Sequence, residues 1–303
     1  MSASDVGERI VLEDGLARIE LVPHLGAGVA RYDLIRGKER LPLFRPAPDK
    51  LDPDKPFALA MNLLLPWSNR ISGGGFEVDG TFHRIEPNLH GEPYPIHGNA
   101  FQQRWEVEGR STTLATLSMF SEGPGPFRYD ARVTYELDGG SLRVALRVCN
   151  RATVRLPFGS GLHPWFARDA DTRLQMAATG VWLEDECYLP TDHVSVSLRE
   201  AWDFRTAKSL PEGWINNAFT DWDGRARLVW PLRRLALDVE ADDALGVCVV
   251  HSPGAGSEFV CVEPVSHAVD AHRLDTGRPG CALRLLDPNQ TWGWSCRFAP
   301  MRR

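Results

Sequence analysis

The chain has 303 residues, of which 43% are hydrophobic and 24% charged, with a formal net charge of -6. That length holds one large β domain or two ordinary ones, and the apolar content suffices for a packed core. The mild acidity argues against a nucleic-acid binder, which needs a basic surface to displace counterions from phosphate. No window approaches the ~18–20 apolar residues of a membrane span, so no membrane partner is expected.

The opening MSASDVGERIVLEDG carries neither the basic start nor the apolar stretch of a secretory signal, which points to a cytoplasmic location. Next comes period-two alternation, the mark of a half-buried strand. Ala17, Ile19 and Leu21 face one way, Arg18 and Glu20 the other. Residues 43–57 are the most proline-rich stretch and read as a surface loop within a single domain spanning 1–303. Pro56–Leu65 and Ser197–Trp202 are each good for a helical turn or two; convincing longer helices are scarce. Val133–Leu137 and Ser141–Val148 alternate on either side of Asp138-Gly139-Gly140, a tripeptide suited to a tight hairpin. Further strands are predicted at Arg225–Trp230, Leu235–Val239, Gly246–Val250, Phe259–Glu263 and along Thr291–Phe298. The 27 glycines and 22 prolines are spread throughout. Many short strands joined by turns, without interleaved amphipathic helices, indicate an all-β chain: a large antiparallel sandwich.

The six cysteines form no Cys-x-x-Cys pair, so they read as reduced thiols and a structural zinc site is not expected. Gly73-Gly74-Gly75 precedes no helix and is no phosphate cradle. The histidines lack helical metal-ligand spacing. Ser160 lies in Gly-Ser-Gly rather than in a nucleophile elbow. Glu184-Asp185-Glu186 reads as a solvated turn.

Three segments set reactive side chains among glycine, proline and aromatics. The first is Pro66-Trp-Ser-Asn-Arg70-Ile-Ser-Gly-Gly-Gly-Phe76, followed by Pro95-Ile-His97-Gly-Asn-Ala-Phe101. The second is Pro157-Phe-Gly-Ser-Gly-Leu-His163-Pro-Trp165-Phe166, and the third Phe259-Val-Cys-Val-Glu263-Pro-Val-Ser-His267. Glu263 ends an apolar strand before a proline, which places a carboxylate at a strand's mouth. On pattern alone, a turn cap or an arginine partner fits that glutamate too. A satisfied core histidine fits His163 and His97 equally, and a strand-edge arginine fits Arg70.

Taken together and in order, these segments resemble the aldose 1-epimerase (galactose mutarotase-like) family. The matching text is Asn69-Arg70-Ile71 with the glycines after it, Phe76-Glu-Val-Asp79-Gly80, Asn88 through His97-Gly98, His163-Pro-Trp-Phe166 and Val262-Glu263-Pro264. The order and rough spacing agree from about residue 10 to the C-terminus. The resemblance implies a β-supersandwich and interconversion of the α and β anomers of a free sugar, with no cofactor or metal. It implies Glu263 as general base on the anomeric hydroxyl and His163 as general acid on the ring oxygen, the two on opposite sides of the sugar. Arg70 and His97 would hold sugar oxygens. Trp165 and Phe219, with Trp67 and Phe101, are candidates for stacking on the sugar ring. The expected partner is a monosaccharide, and the expected state a monomer or homodimer.

Two departures stand out. Where the family often carries an aspartate in an Asp-His-x-Phe element, this chain reads Asn216-Asn217-Ala218-Phe219. Asparagine keeps the hydrogen bonding and drops the charge. The asparagine and threonine often found before the acid histidine are replaced by Phe158-Gly-Ser-Gly-Leu162. Three alternatives remain: a hexose-6-phosphate mutarotase with Arg104 and Arg168 as candidate phosphate holders, a non-catalytic carbohydrate-binding protein, and a glycoside hydrolase, for which Asp270 is the nearest second acid in sequence.

Overall fold

A computed structural model describes residues 8–302. Met1–Gly7, on which the absence of a leader was read, and Arg303 lie outside the described residues. The alternating segments form strands as expected. Ala17–Val22 is one, and Arg128–Asp138 pairs with Ser141–Asn150 in register Asp138↔Ser141. The two loop residues, Gly139 and Gly140, have φ of 56° and 79°, the doubly left-handed turn whose twist suits a hairpin.

The strands build an eleven-stranded and a nine-stranded sheet, with two further two-stranded ribbons, and every strand pairing is antiparallel. The C-terminal strand Thr291–Arg302 inserts between Ser141–Asn150 and Leu235–Ala241 in the nine-stranded sheet. Among the described residues no helix is long and apolar enough to cross a membrane. The helical turns are short 3-10 pieces at Pro56–Ala58, Ala100–Gln102, Val196–Leu198 and Glu200–Trp202. Only the start of the Pro56–Leu65 segment turns; Met61–Leu64 is a buried strand, because four successive apolar or amide side chains fit between two covered faces.

One apolar cluster joins the inner faces of both large sheets. Phe44 sits at its centre, edge-on to Tyr32, Phe166 and Phe298 at centroid distances of 5.2, 5.1 and 5.3 Å. Each such pair adds roughly 0.5–1.5 kcal/mol beyond burial. The 43–57 stretch is therefore more than a surface loop: it drives Leu43 and Phe44 into the core.

The strands that matter for chemistry lie side by side in the larger sheet: Met61–Leu64, Gly161–Ala167, Phe259–Val265, Val247–Ser252, Ile215–Thr220 and Gly180–Glu184. Their alternation sorts the residues cleanly. Leu162, Phe166, Val260, Val262, Cys248, Val250, Ile215, Phe219 and Val181 join the inter-sheet core. Their sequence neighbours, His163, Trp165, Glu263, His251 and Asn216 among them, face away from it and line a cleft.

Candidate active site

His163 and Glu263 are cross-strand neighbours. The register that pairs Gly161 with Val265 and Trp165 with Cys261 sets them opposite one another. Their side chains share the outer face, with His163 Nε2 3.4 Å from Glu263 Oε1. That is long for a hydrogen bond, so neither group is locked onto the other. They stand side by side rather than on opposite sides of a substrate. Both are nearly enclosed, at 7% and 2% exposure. The His163 ring stacks on Trp165 at 4.6 Å and on Phe57 at 5.8 Å, which fixes its plane.

Burial dominates the electrostatics. Desolvation pushes the His163 imidazolium well below its ordinary value, helped by His97, His251 and Arg45. Desolvation also pushes the Glu263 carboxyl well above the usual range, and Arg70 opposes that rise. The carboxylate–imidazolium pair and the carboxyl–imidazole pair hold the same single proton. Their interconversion is one proton transfer across the 3.4 Å gap.

The cleft, about 260 Å³, is completed by loops. Arg70 is held from three sides. Its guanidinium donates to both Glu92 oxygens at 3.0 and 3.1 Å, its backbone N–H donates to Asn69 Oδ1 at 3.0 Å, and Tyr188 lies 4.9 Å beneath its Cζ. The bidentate pair fixes the guanidinium plane, and Nη1 also approaches Asn69 Oδ1 at 3.5 Å. His97 accepts a hydrogen bond from the Asn69 N–H at Nδ1, 2.9 Å, so the neutral ring carries its proton on Nε2. Desolvation, with Arg70 and His267, lowers its pKa to about 3, which keeps it a neutral donor. The segment after Glu263 braces this loop: His267 Nε2 accepts from the Ser68 N–H, and Asp270 accepts from the Ser72 N–H and hydroxyl.

His97 has φ of 60° and Gly98 of 67°. A Cβ on Gly98 would run into the Leu65 carbonyl oxygen and main chain. Gly98→Ala is therefore expected to cost at least ~2 kcal/mol, from backbone strain plus overlap. A urea titration of the variant reads this directly.

Of the residues singled out in the sequence, Arg70, His97, His163, Trp165, Asn216 and Glu263 line the cleft. Trp165 does so with its ring already occupied, by His163 on one count and by the Arg45 guanidinium 4.5 Å from its centroid on the other. Phe219 does not reach the cleft. It shares strand parity with Ile215, is 1% exposed, and packs on Phe204 in the core. Trp67 and Phe101 are also fully buried. Arg104 lines a separate groove near Glu8 and Trp105. Arg168 is turned to Ser252 Oγ and the Pro211 carbonyl. Asp270 is spent on Ser72.

Sequence reasoning missed Phe57, Glu92, Tyr188, Trp214 and His251, all of which line the cleft. Four of these stand outside regular alternation, on turns or loops. His251 was within reach: it follows Val247 and Val249 at period two, next to the strand of Glu263. Glu184 was misread as solvated. It is half-buried and accepts from Trp214 Nε1 and Asn216 Nδ2, each at 2.8 Å. Among the described residues, the one His/Cys/Asp/Glu group close enough to hold a metal is His163, Cys261 and Glu263, whose ligand atoms lie within 4.8 Å of one another.

The family model described as Aldose 1-epimerase matches residues 8–299. An uncharacterised Escherichia coli K12 protein, YphB, is 31% identical over 226 residues, covering 73% of this chain and 77% of that one. The fold is similar to that of a candidate aldose 1-epimerase of Escherichia coli K12, with a TM-score of 0.89, 26% identity, and coverage of 98% and 99%. It is also similar to a galactose mutarotase-like protein of Clostridium acetobutylicum, with a TM-score of 0.83, 17% identity, and coverage of 97% and 95%.

Proposed function

The chain belongs to the aldose 1-epimerase family, and from that premise we propose that it interconverts the α and β anomers of a free monosaccharide. The observation that carries this reading is the His163–Glu263 pair, 3.4 Å apart on the floor of a cleft whose walls present Arg70 and His97.

Anomerisation needs one proton removed from the C1 hydroxyl and one delivered to the ring oxygen. Both oxygens are bonded to C1, so two adjacent groups can serve them. The Glu263 carboxylate takes the hydroxyl proton while the His163 imidazolium protonates the ring oxygen. The C1–ring-oxygen bond breaks and C1 becomes an aldehyde. Rotation about C1–C2 presents the other aldehyde face. Glu263 then returns its proton to the aldehyde oxygen as His163 recovers one from the attacking hydroxyl, which leaves the pair with its original proton. Arg70 favours the ionised carboxylate; Arg70 and the His97 Nε2–H supply donors for sugar oxygens. The volume, about 260 Å³, falls below the ~300 Å³ at which drug-sized pockets begin and suits one sugar ring.

The cleft's own cation is already paired with Glu92, and neither Arg104 nor Arg168 lines it. A free aldose is therefore the expected substrate over its 6-phosphate. Initial anomerisation rates of freshly dissolved glucose, galactose and glucose 6-phosphate, followed by polarimetry, test this. kcat/KM for the better free sugar should exceed that for the phosphate at least ~10-fold, the worth of about 1.4 kcal/mol. A faster rate on the phosphate overturns the free-sugar assignment.

A further inference from the structure

We infer that Glu184 is a positioning residue for sugar recognition: by accepting from Trp214 and Asn216 together, it holds the Asn216 amide with Oδ1 turned to the cleft, as acceptor for a sugar hydroxyl. This rests on the sugar-cleft reading above and extends it to a residue outside the cleft lining.

An ionised carboxylate only accepts hydrogen bonds. Glu184 Oε1 takes the Trp214 indole N–H and Oε2 takes the Asn216 amide N–H, each at 2.8 Å. The amide must therefore turn its nitrogen to Glu184, whichever way oxygen and nitrogen would be assigned without that partner. Its Oδ1 then points the other way, and among the described residues nothing donates to it. Asn216 lines the cleft and Glu184 does not.

The same carboxylate sets the aromatic rim. Trp214 is 45% exposed and lies 5.7 Å from Tyr188, itself 38% exposed. Tyr188 rides on a turn whose backbone N–H groups at Cys187 and Leu189 donate to Asp185. Glu184 and Asp185 thus shape one wall of the cleft. The same cleft holds donors, the Arg70 guanidinium over the Tyr188 ring and the His97 Nε2–H. A sugar hydroxyl both donates and accepts, so a cleft that offers donors together with an oriented acceptor suits it. Burial raises the Glu184 carboxyl from its ordinary value, while Trp214, Asn216 and Arg70 pull it back toward the ionised form.

The arrangement predicts a swap. In Glu184→Gln, one of the two amides must turn, and Asn216 presents its NH2 to the cleft. In Asn216→Asp, two carboxylates face each other. In the double variant Glu184→Gln/Asn216→Asp, the glutamine amide donates to the aspartate, which keeps an acceptor at the cleft. Sugar dissociation constants from Trp fluorescence and calorimetry, with KM and kcat for galactose and glucose, form a double-mutant cycle. Each single change is expected to weaken binding and raise KM about tenfold, with a smaller loss in kcat, and the double variant to return KM to within about threefold of the wild type. Unaltered binding in Glu184→Gln, or losses that simply add in the double variant, overturns the inference. The dissociation constants decide it even if the wild type proves unable to anomerise, an outcome that would instead remove the catalytic reading.

Discussion

Glu263→Gln is expected to lower the anomerisation kcat by about 10²–10⁴-fold while sugar binding persists. The amide is nearly isosteric and cannot take the C1 hydroxyl proton, so it removes the base and little else. The site tolerates it sterically, since among the described residues the Glu263 carboxylate has no ion pair or hydrogen bond closer than its 3.4 Å approach to His163. His163→Gln is expected to lose a similar factor by removing the acid. The double variant should be little worse than the poorer single, because two groups that share one proton act as a unit. Steady-state rates for the three variants, with sugar binding measured in parallel, check this. Losses that multiply across the two positions would show that each acts alone.

The second large effect is acid instability. Burial holds His97 and His272 at about 3, His251 and His267 at about 4, and His163 well below its ordinary value. In the unfolded chain each titrates near ~6.5. Between that value and the folded ones the unfolded chain binds more protons, so stability is full above pH ~6.5 and is lost as pH falls. Glu263, Glu184 and Asp270 are raised by burial and act with the opposite sign, because their folded forms hold protons the unfolded chain has released. Each group contributes up to roughly 1.4 kcal/mol per pH unit, and five histidines against three carboxyls leave about two protons, so the net slope is expected at roughly 3 kcal/mol per unit between pH 6 and 4.5. Folding free energies are typically only ~5–15 kcal/mol, so this drop is large enough to unfold the chain. Urea midpoints at pH 7.5, 6.0 and 5.0 should fall steeply across the series; a flat series contradicts it.

The fold was legible because period-two alternation is a direct consequence of strand geometry. It also carries the site, since the residue after each core-facing position on the central strands faces the cleft. That is why His163, Trp165, Asn216 and Glu263, singled out by their motifs and, for Asn216, by the family resemblance, all reach one cleft. The same rule, applied strictly, would have placed Phe219 with Ile215 in the core and Glu184 with Trp182 on the outer face. What periodicity cannot reach is the rim. Phe57, Glu92, Tyr188 and Trp214 arrive on turns and loops, and tertiary pairings bring them in, such as the Arg70–Glu92 bridge across 22 residues of sequence. The family resemblance supplied the order of the motifs; the structure adds that His163 and Glu263 stand side by side on neighbouring strands.

The most direct test of the central claim is exchange between the α and β anomers at equilibrium, followed by NMR magnetisation transfer on galactose and glucose with the purified wild-type chain. Exchange is expected to rise in proportion to protein concentration, well above buffer, and to disappear in Glu263→Gln. Exchange no faster than buffer with both sugars, or a rate that Glu263→Gln leaves intact, would contradict it.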